Sequence, residues 1–249
     1  DEDEDDYYYY GDDCRASGAV YLFRTTDGGI TYAQVAKLTA SDAATNDYFG
    51  YSVAIDGNTI VVGAYYKSSG TGAVYVFRTS DGGATYDEVA KLTASDAASG
   101  DYFGRSVAID GNTVVVGAYY DDGGGSSSGS VYIFHTSDGG ATYDEVAKLT
   151  ASDAAYGDNF GISVAIAGGT IVVGAHGKDS YSGAVYVFRT TDGGATWQQT
   201  ARLTKNGAGA YDAVGSSVAI SGNIIAAGAS QSNGRGPDDS GSVYIFRTR

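Results

Sequence analysis

Methionine is absent from this chain, and cysteine and proline occur once each. The lone Cys14 excludes an intrachain disulfide and leaves two readings, an inert buried thiol or a bond to another chain. Neither a Cys-x-x-Cys nor a His-x-x-x-His spacing occurs, so the ligand patterns of zinc sites are missing. No apolar run approaches the roughly 18 residues that a membrane-spanning helix needs, so membrane insertion is not expected. No signal-peptide pattern opens the chain. It begins at Asp1 without an initiator methionine, as expected of a processed chain, an excised domain or a fragment. Without an Asn-x-Ser/Thr sequon, N-glycosylation is not expected, while Ser126, Ser127 and Ser128 are open to O-linked sugar.

Positive charge is also scarce. Fifteen Lys and Arg stand against thirty Asp and Glu, a net charge of −15. Nucleic acid is therefore not an expected partner, because binding a phosphate backbone requires a basic surface. Eight of the thirty acids lie in residues 1–13, which leaves −7 for the remainder. Residues 1–17 read as an acidic, Tyr-rich segment: a solvated tail, part of a strand, or an arm for cations or partners that uses Tyr7 to Tyr10.

What the chain has is repetition. Gly-Ala-Val-Tyr-Val-Phe or a close variant begins at Gly18, Gly72, Gly129, Gly183 and Gly241, at intervals of 54 to 58 residues. A period of this size means stacked supersecondary units over residues 18–249, each unable to bury its apolar faces alone. Within one unit, short apolar runs at 52–55, 59–64, 72–77 and 89–93 are separated by turn chemistry such as Asp56-Gly57-Asn58 and Ser80-Asp81-Gly82-Gly83. No stretch sustains a 3.6-residue period, so helix is not expected. The first three runs are apolar on both faces and need cover on both sides. The fourth carries Lys37, Lys91, Lys148 or Arg202, as suits a protected outer edge. Small residues such as Ser52 and Ala54 suit a crowded centre. The expected fold is all-β, a β-propeller of four-stranded antiparallel blades with the first strand innermost. Three blades are complete and part-blades stand at the ends. The propeller has four or five blades if closed alone, or belongs to a larger, seven-bladed one.

Two resemblances attach to these motifs. Phe49-Gly50, Phe103-Gly104, Phe160-Gly161 and the degenerate Val214-Gly215 precede the first strand, and Gly63-Ala64, Gly117-Ala118, Gly174-Ala175 and Gly228-Ala229 end the second. This pattern resembles the FG-GAP repeat of integrin α-subunit propellers and of many secreted microbial and algal proteins. The final Pro of the motif is replaced by Tyr65, Tyr119, His176 and Ser230. The turns around Asp27, Asp81, Asp138 and Asp192 resemble the Asp-box, Ser/Thr-x-Asp-x-Gly-x-Thr-aromatic, the last ending in Trp197. Asp-boxes occur in sialidases and other propellers, where the resemblance implies a structural role, with the Asp accepting turn amides and the aromatic packing between blades.

Candidate chemistry falls on one face of the disc. The four–one loops, Ala-Ser-Asp-Ala-Ala-x-x-Asp in three copies, supply Asp42 and Asp47, Asp96 and Asp101, and Asp153 and Asp158; the last copy keeps Asp212. Two carboxylates five apart with nearby carbonyls suit Ca²⁺, or they cap turns by Asx hydrogen bonds. Integrin propellers hold Ca²⁺ in a longer one–two loop, which here is a tight turn, so those sites do not transfer. The two–three loops supply Tyr65, Tyr66, Tyr119, Tyr120, His176 and Tyr181 for protein or glycan contact, or for packing on neighbouring loops. Asp121, Asp122, Asp238 and Asp239 read as solvated. His135 occupies a position that is Arg in other copies, Glu88 and Glu145 are repeat-equivalent, and no carboxylate pair stands out, so no catalytic residue is assigned. The reading is an extracellular or cell-surface, non-enzymatic adhesion or assembly module that binds protein or glycan, with Ca²⁺ as the candidate cofactor. The alternatives are a subunit of an extracellular filament that self-associates through unfinished blades, and a sialidase-like glycan hydrolase.

Overall fold

The computed structural model describes residues 17–205, 211–231 and 241–247. Cys14 and the 1–16 segment, Asp238 and Asp239 lie outside the described residues. All regular structure beyond two short turns is β. Strands β1 (Val20–Arg24) and β2 (Ala33–Leu38) pair as a two-stranded sheet. Three four-stranded antiparallel blades follow. The first is β3 (Ser52–Asp56), β4 (Thr59–Ala64), β5 (Ala73–Arg78) and β6 (Asp87–Leu92). The second is β7 (Ser106–Asp110), β8 (Thr113–Ala118), β9 (Ser130–His135) and β10 (Asp144–Leu149). The third is β11 (Phe160–Ala167), β12 (Thr170–Ala175), β13 (Ala184–Arg189) and β14 (Gln198–Leu203). A three-stranded sheet closes the series: β15 (Val214–Ser221), β16 (Ile224–Ala229) and β17 (Ser242–Arg247). Among the described residues no helix is long and apolar enough to cross a membrane.

The β-branched runs explain the order within a blade. All six residues of β4, β8 and β12 are buried, as two-sided cover requires. Strands β3, β7, β11 and β15 lie next to one another across successive blades, so the first strand is innermost, as its small residues require. Each Phe of the Phe-Gly pairs is a wedge beneath the third strand. Phe103 is fully buried and lies edge-on to Tyr132 at 5.5 Å and Phe134 at 5.9 Å; Phe49 and Phe160 repeat the arrangement.

Glycine is required where blades touch. A Cβ on Gly63 would lie 2.1 Å from the Gly104 carbonyl oxygen of the next blade, and one on Gly117 would lie 2.0 Å from that of Gly161. The Ser52 and Ser106 hydroxyls donate to the same two carbonyls at 2.7 and 2.8 Å. The two halves of the repeated motif are therefore one contact, main chain against main chain across the blade boundary.

Two differences from the sequence reading are local. The two–three loops of the first and third blades each hold one short turn, α1 (Lys67–Gly70) and α2 (Lys178–Tyr181), with left-handed residues inside, Ser68 and Ser69 in one and Asp179 and Ser180 in the other. The turn folds so as to bury its lysine, and periodicity does not report a single turn. At the two ends of the array, sheet faces that are buried elsewhere stay open. Val53 and Ile55 are 54% and 62% exposed, against 9% for Val107 and Val164, and Val243 and Ile245 are 68% and 61% exposed.

Substituting the contact glycine tests the blade lock. Gly117 has no left-handed backbone, so Gly117→Ala isolates the steric clash and should cost about 3 kcal/mol or more. Gly111, at φ +56 with open space around it, should lose only about 1–2 kcal/mol as Ala. Urea denaturation midpoints of the two variants provide the comparison.

Candidate functional site

The two faces of the array differ in how much of their chemistry is already used. On the one–two and three–four turn face, Asp81 Oδ1 accepts the Ala84 and Thr85 amides at 2.8 and 3.0 Å and Oδ2 accepts the Thr85 hydroxyl at 2.7 Å. Asp27, Asp138 and Asp192 make equivalent bonds to their own turns. These bonds from backbone and hydroxyl donors hold all four carboxyls well below the usual range. Tyr86, Tyr143 and Trp197 pack against the blade cores. Asp56 and Asp110 accept the Gly111 and Gly168 amides of the next blade, both at 2.7 Å. The hydrogen bonds of these carboxylates go to their own turns and to the neighbouring blade.

On the opposite face, the four–one acids sit in a network. Asp47 is buried; its Oδ2 accepts the Ala44 amide at 2.6 Å and the Lys67 ammonium at 2.8 Å. Lys67 also donates to the Asp42 carbonyl at 2.5 Å. Asp42 takes Lys91 at 2.6 Å and the buried Tyr75 hydroxyl at 2.5 Å. Burial pushes the Asp42 carboxyl up, but the Lys91 and Tyr75 bonds outweigh it and hold the group at about 2. The third blade repeats the pattern: Lys178 bonds Asp158 at 2.9 Å and the Asp153 carbonyl at 2.5 Å, while Asp153 accepts Tyr186 and pairs with Arg202. At these two copies the place considered for Ca²⁺, Asp42 with Asp47 and Asp153 with Asp158, is filled by a lysine ammonium.

The second blade departs from this pattern. Asp121, expected to be solvated, is only 5% exposed and accepts Ser130, Gly123, Tyr132 and Lys148. Lys148 also bonds Asp96 at 2.6 Å. Asp101 is buried, and burial pushes its carboxyl above the usual range despite the Ala98 amide bond. Lys91, Lys148 and Arg202 therefore do more than guard an edge: they reach into the loop acids. Glu88 and Glu145 clamp the Ser41 and Ser95 amides and hydroxyls, all at 2.8 Å. Among the described residues no group of three His, Cys, Asp or Glu stands as a ready-made metal cage.

Above these acids runs a belt of aromatic rings. Tyr48 stacks on Tyr65 at 5.5 Å, Tyr66 on Tyr102 at 5.9 Å, and Tyr102 on Tyr119 at 5.7 Å; Tyr119 meets Tyr120 at 4.1 Å. The Arg105 guanidinium lies over Tyr51 at 4.3 Å and near Tyr119 at 5.7 Å. Further along, His176 stacks on Tyr181 and Tyr181 on Tyr211, both at 6.1 Å. The structure thus brings the six expected aromatics into two clusters and adds Tyr48, Tyr51, Tyr102, Tyr211 and Arg105. Tyr48 and Tyr102 precede Phe-Gly at φ 54 and 56, and Tyr51 and Arg105 follow it. Their signal was adjacency to the motif, which made them look like part of it. Burial and the neighbouring Tyr120 push the Tyr119 phenol up to about 12. Burial, then the Arg105 charge, lowers the His176 pKa and favours its neutral imidazole.

Two measurements follow from the network. Asp158→Asn leaves the Lys178 ammonium buried without its main partner and should destabilise the fold by about 3 kcal/mol in urea denaturation. Asp42 has a folded pKa below its unfolded value of about 3.9, so its contribution is complete above that value and is lost as pH falls towards about 2. A carboxyl-carbon NMR titration should show that midpoint, and Lys91→Met should move it upward.

The geometry agrees with comparisons to known proteins. The FG-GAP repeat model matches four times, at residues 32–77, 86–134, 143–188 and 197–246. Among solved structures, the chain resembles a candidate 6-phosphogluconolactonase from Bacteroides uniformis, with a TM-score of 0.56 and 15% identity. The match covers 92% of this chain and 60% of that one, so this chain spans less than two thirds of that protein's length. At this identity the likeness concerns the fold alone. Saccharomyces cerevisiae Sqt1 is more distant, with a TM-score of 0.47, 10% identity and coverage of 75% and 44%, too low to bear on the reading. Four matched repeats, blades that recur with them, and glycine-to-glycine contacts between Gly63 and Gly104, Gly117 and Gly161, and Gly174 and Gly215 place the chain in the FG-GAP repeat family.

Proposed function

We propose that this chain is a non-enzymatic recognition module, working outside the cell or at its surface, that binds protein or glycan through the tyrosine belt. The observation that carries the reading is the belt itself. Tyr48, Tyr51, Tyr66, Tyr120 and Tyr181 are 40–46% exposed, yet ordered by stacking and set on a rigid β frame. Large amphipathic rings with few rotatable bonds give contact area at low entropic cost and offer hydroxyls at their rims. Arg105 adds one cation for a carboxylate or a carbonyl-rich surface. The positions are costly to hold: Tyr48 and Tyr102 occupy left-handed backbone, where a non-glycine residue is strained. Membership of the FG-GAP family supports an extracellular setting. Support for a non-enzymatic role comes from the loop-face acids, whose oxygens are engaged by lysine, arginine and tyrosine partners.

The test is binding to glycan and extracellular-protein arrays by wild type and by Tyr66→Ala/Tyr120→Ala. The double variant should stay folded by circular dichroism and bind at least about ten-fold more weakly. Unchanged binding by the variant, or turnover of any glycoside by the wild type, would overturn the reading.

A further inference from the structure

The boundary between the third blade and the closing sheet repeats the backbone of the boundary between the first two blades, but not its side chains. The same main-chain bonds recur: the Tyr102 amide to the Gly70 carbonyl in one, the Ala213 amide to the Tyr181 carbonyl in the other. At the earlier boundary Tyr102 packs on Gly70, where a Cβ would lie 2.7 Å from its ring, and meets Tyr65, Tyr119 and Tyr120 at 5.6, 5.7 and 5.4 Å. Arg105 lies near Tyr119 at 5.7 Å. At the later boundary Tyr181 stands for Gly70, Ala213 for Tyr102, Ser216 for Arg105, Ser230 for Tyr119 and Gln231 for Tyr120. One ring has crossed from the four–one loop to the two–three loop, and an arginine and two tyrosines have become two serines and a glutamine. Tyr211 is added where the other copies have Asn46, Gly100 and Gly157.

The exchange opens a cavity of about 320 Å³, within the range of small-ligand sites. Three near-parallel rings line it: His176, Tyr181 and Tyr211, with successive centroids 6.1 Å apart and planes 20° and 13° from parallel. Apart from Ala213, the rest of the lining is polar and uncharged: Ser216, Ser230 and Gln231. The Ser216 hydroxyl donates to the Ala213 carbonyl at 2.7 Å and lies 3.1 Å from the Ser230 oxygen. With the Ser216 proton committed, Ser230 is the donor within that pair, and its own lone pairs stay available to a ligand. Burial, then the Arg105 charge, favours the neutral form of His176. An ion would therefore enter without a counter-charge in the lining, which is costly. Aromatic faces carry partial negative charge and attract polarised C–H groups. Hydroxyls and an amide both donate and accept. A pyranose ring presents the matching pair of surfaces, a face of C–H bonds and a rim of hydroxyls.

We propose that this cavity is a saccharide-binding site for one uncharged pyranose ring, whose C–H face lies on Tyr181 and Tyr211 and whose hydroxyls meet Ser230 and Gln231. Ser216 is a positioning residue that fixes the Ser230 hydroxyl through the Ala213 carbonyl. The boundary between the first two blades offers no such site, because Tyr102, Arg105, Tyr119 and Tyr120 occupy the equivalent space. A single ring of this size in an open site binds with a dissociation constant on the order of 1 mM. Neither Tyr66 nor Tyr120 lines the cavity, so a failure of this inference and a failure of the tyrosine-belt reading fall on different variants.

The experiment is saturation-transfer NMR of the full chain with the methyl glycosides of glucose, galactose, mannose and N-acetylglucosamine, followed by a chemical-shift titration with each one that binds. At least one should saturate the wild type, with transfer strongest to the C–H protons of one ring face. Ser230→Tyr installs the residue that the first two copies carry at this position, fills the cavity and should abolish binding. Tyr211→Ala removes a ring that is 64% exposed, so the fold should persist, and binding should weaken at least about five-fold. Wild type that no glycoside saturates overturns the proposal, as does either folded variant that binds as the wild type does. If Ser230→Tyr does not fold, Tyr211→Ala decides alone.

Discussion

The structure depends on a contact that admits no side chain. Between successive blades the Gly63, Gly117 and Gly174 Cα atoms press against the Gly104, Gly161 and Gly215 carbonyls of the next blade, and a serine hydroxyl donates to each of those oxygens. Backbone-to-backbone approach at this range fixes the spacing of the first strands. That spacing sets the depth at which Phe49, Phe103 and Phe160 seat under their third strands. The loop face inherits the same geometry, because the left-handed residues Tyr102, Asn159 and Ala213 are each held by a bond with the preceding two–three loop. The Tyr102 amide donates to the Gly70 carbonyl at 2.8 Å, and that of Ala213 to Tyr181 at 2.7 Å. Strain at Tyr102 and stacking along the belt are thus two results of one packing distance.

Much of this was legible in the sequence, because the repeats align chemistry with position. A residue type that recurs at Gly63, Gly117, Gly174 and Gly228 announces a structural rule, and β-branched runs between Asp-Gly turns specify strands without reference to tertiary structure. The turns around Asp27, Asp81, Asp138 and Asp192 were readable for the same reason, since all their hydrogen bonds stay within a few residues.

What was not legible is whatever depends on contacts between distant segments. Lys67 stands in a Ser/Gly-rich loop and reads as solvated, yet it is buried on acids that precede it by 20 and 25 residues. Asp121 reads as solvated by the same rule and is buried for the opposite reason, as an acceptor for Tyr132 and Lys148. Lys148 and Glu145 look like the polar outer face of an edge strand, but they reach loop residues 50 and 52 positions away. Charge placement in loops is decided by such partners, which local pattern cannot name.

The clamp formed by Ser41 on Glu88, Ser95 on Glu145 and Ser152 on Gln199 has a bearing on how such a chain can grow. Each unit carries its fastening at both ends, a loop that receives and a fourth strand that grips, and the grip survives exchange of Glu for Gln because geometry rather than charge is recognised. A gene segment one period long is therefore a self-sufficient cassette. Duplicating it adds a blade that already fits its neighbours, while the residues at the rim, such as lysine in two copies and aspartate in the third, are left free to diverge.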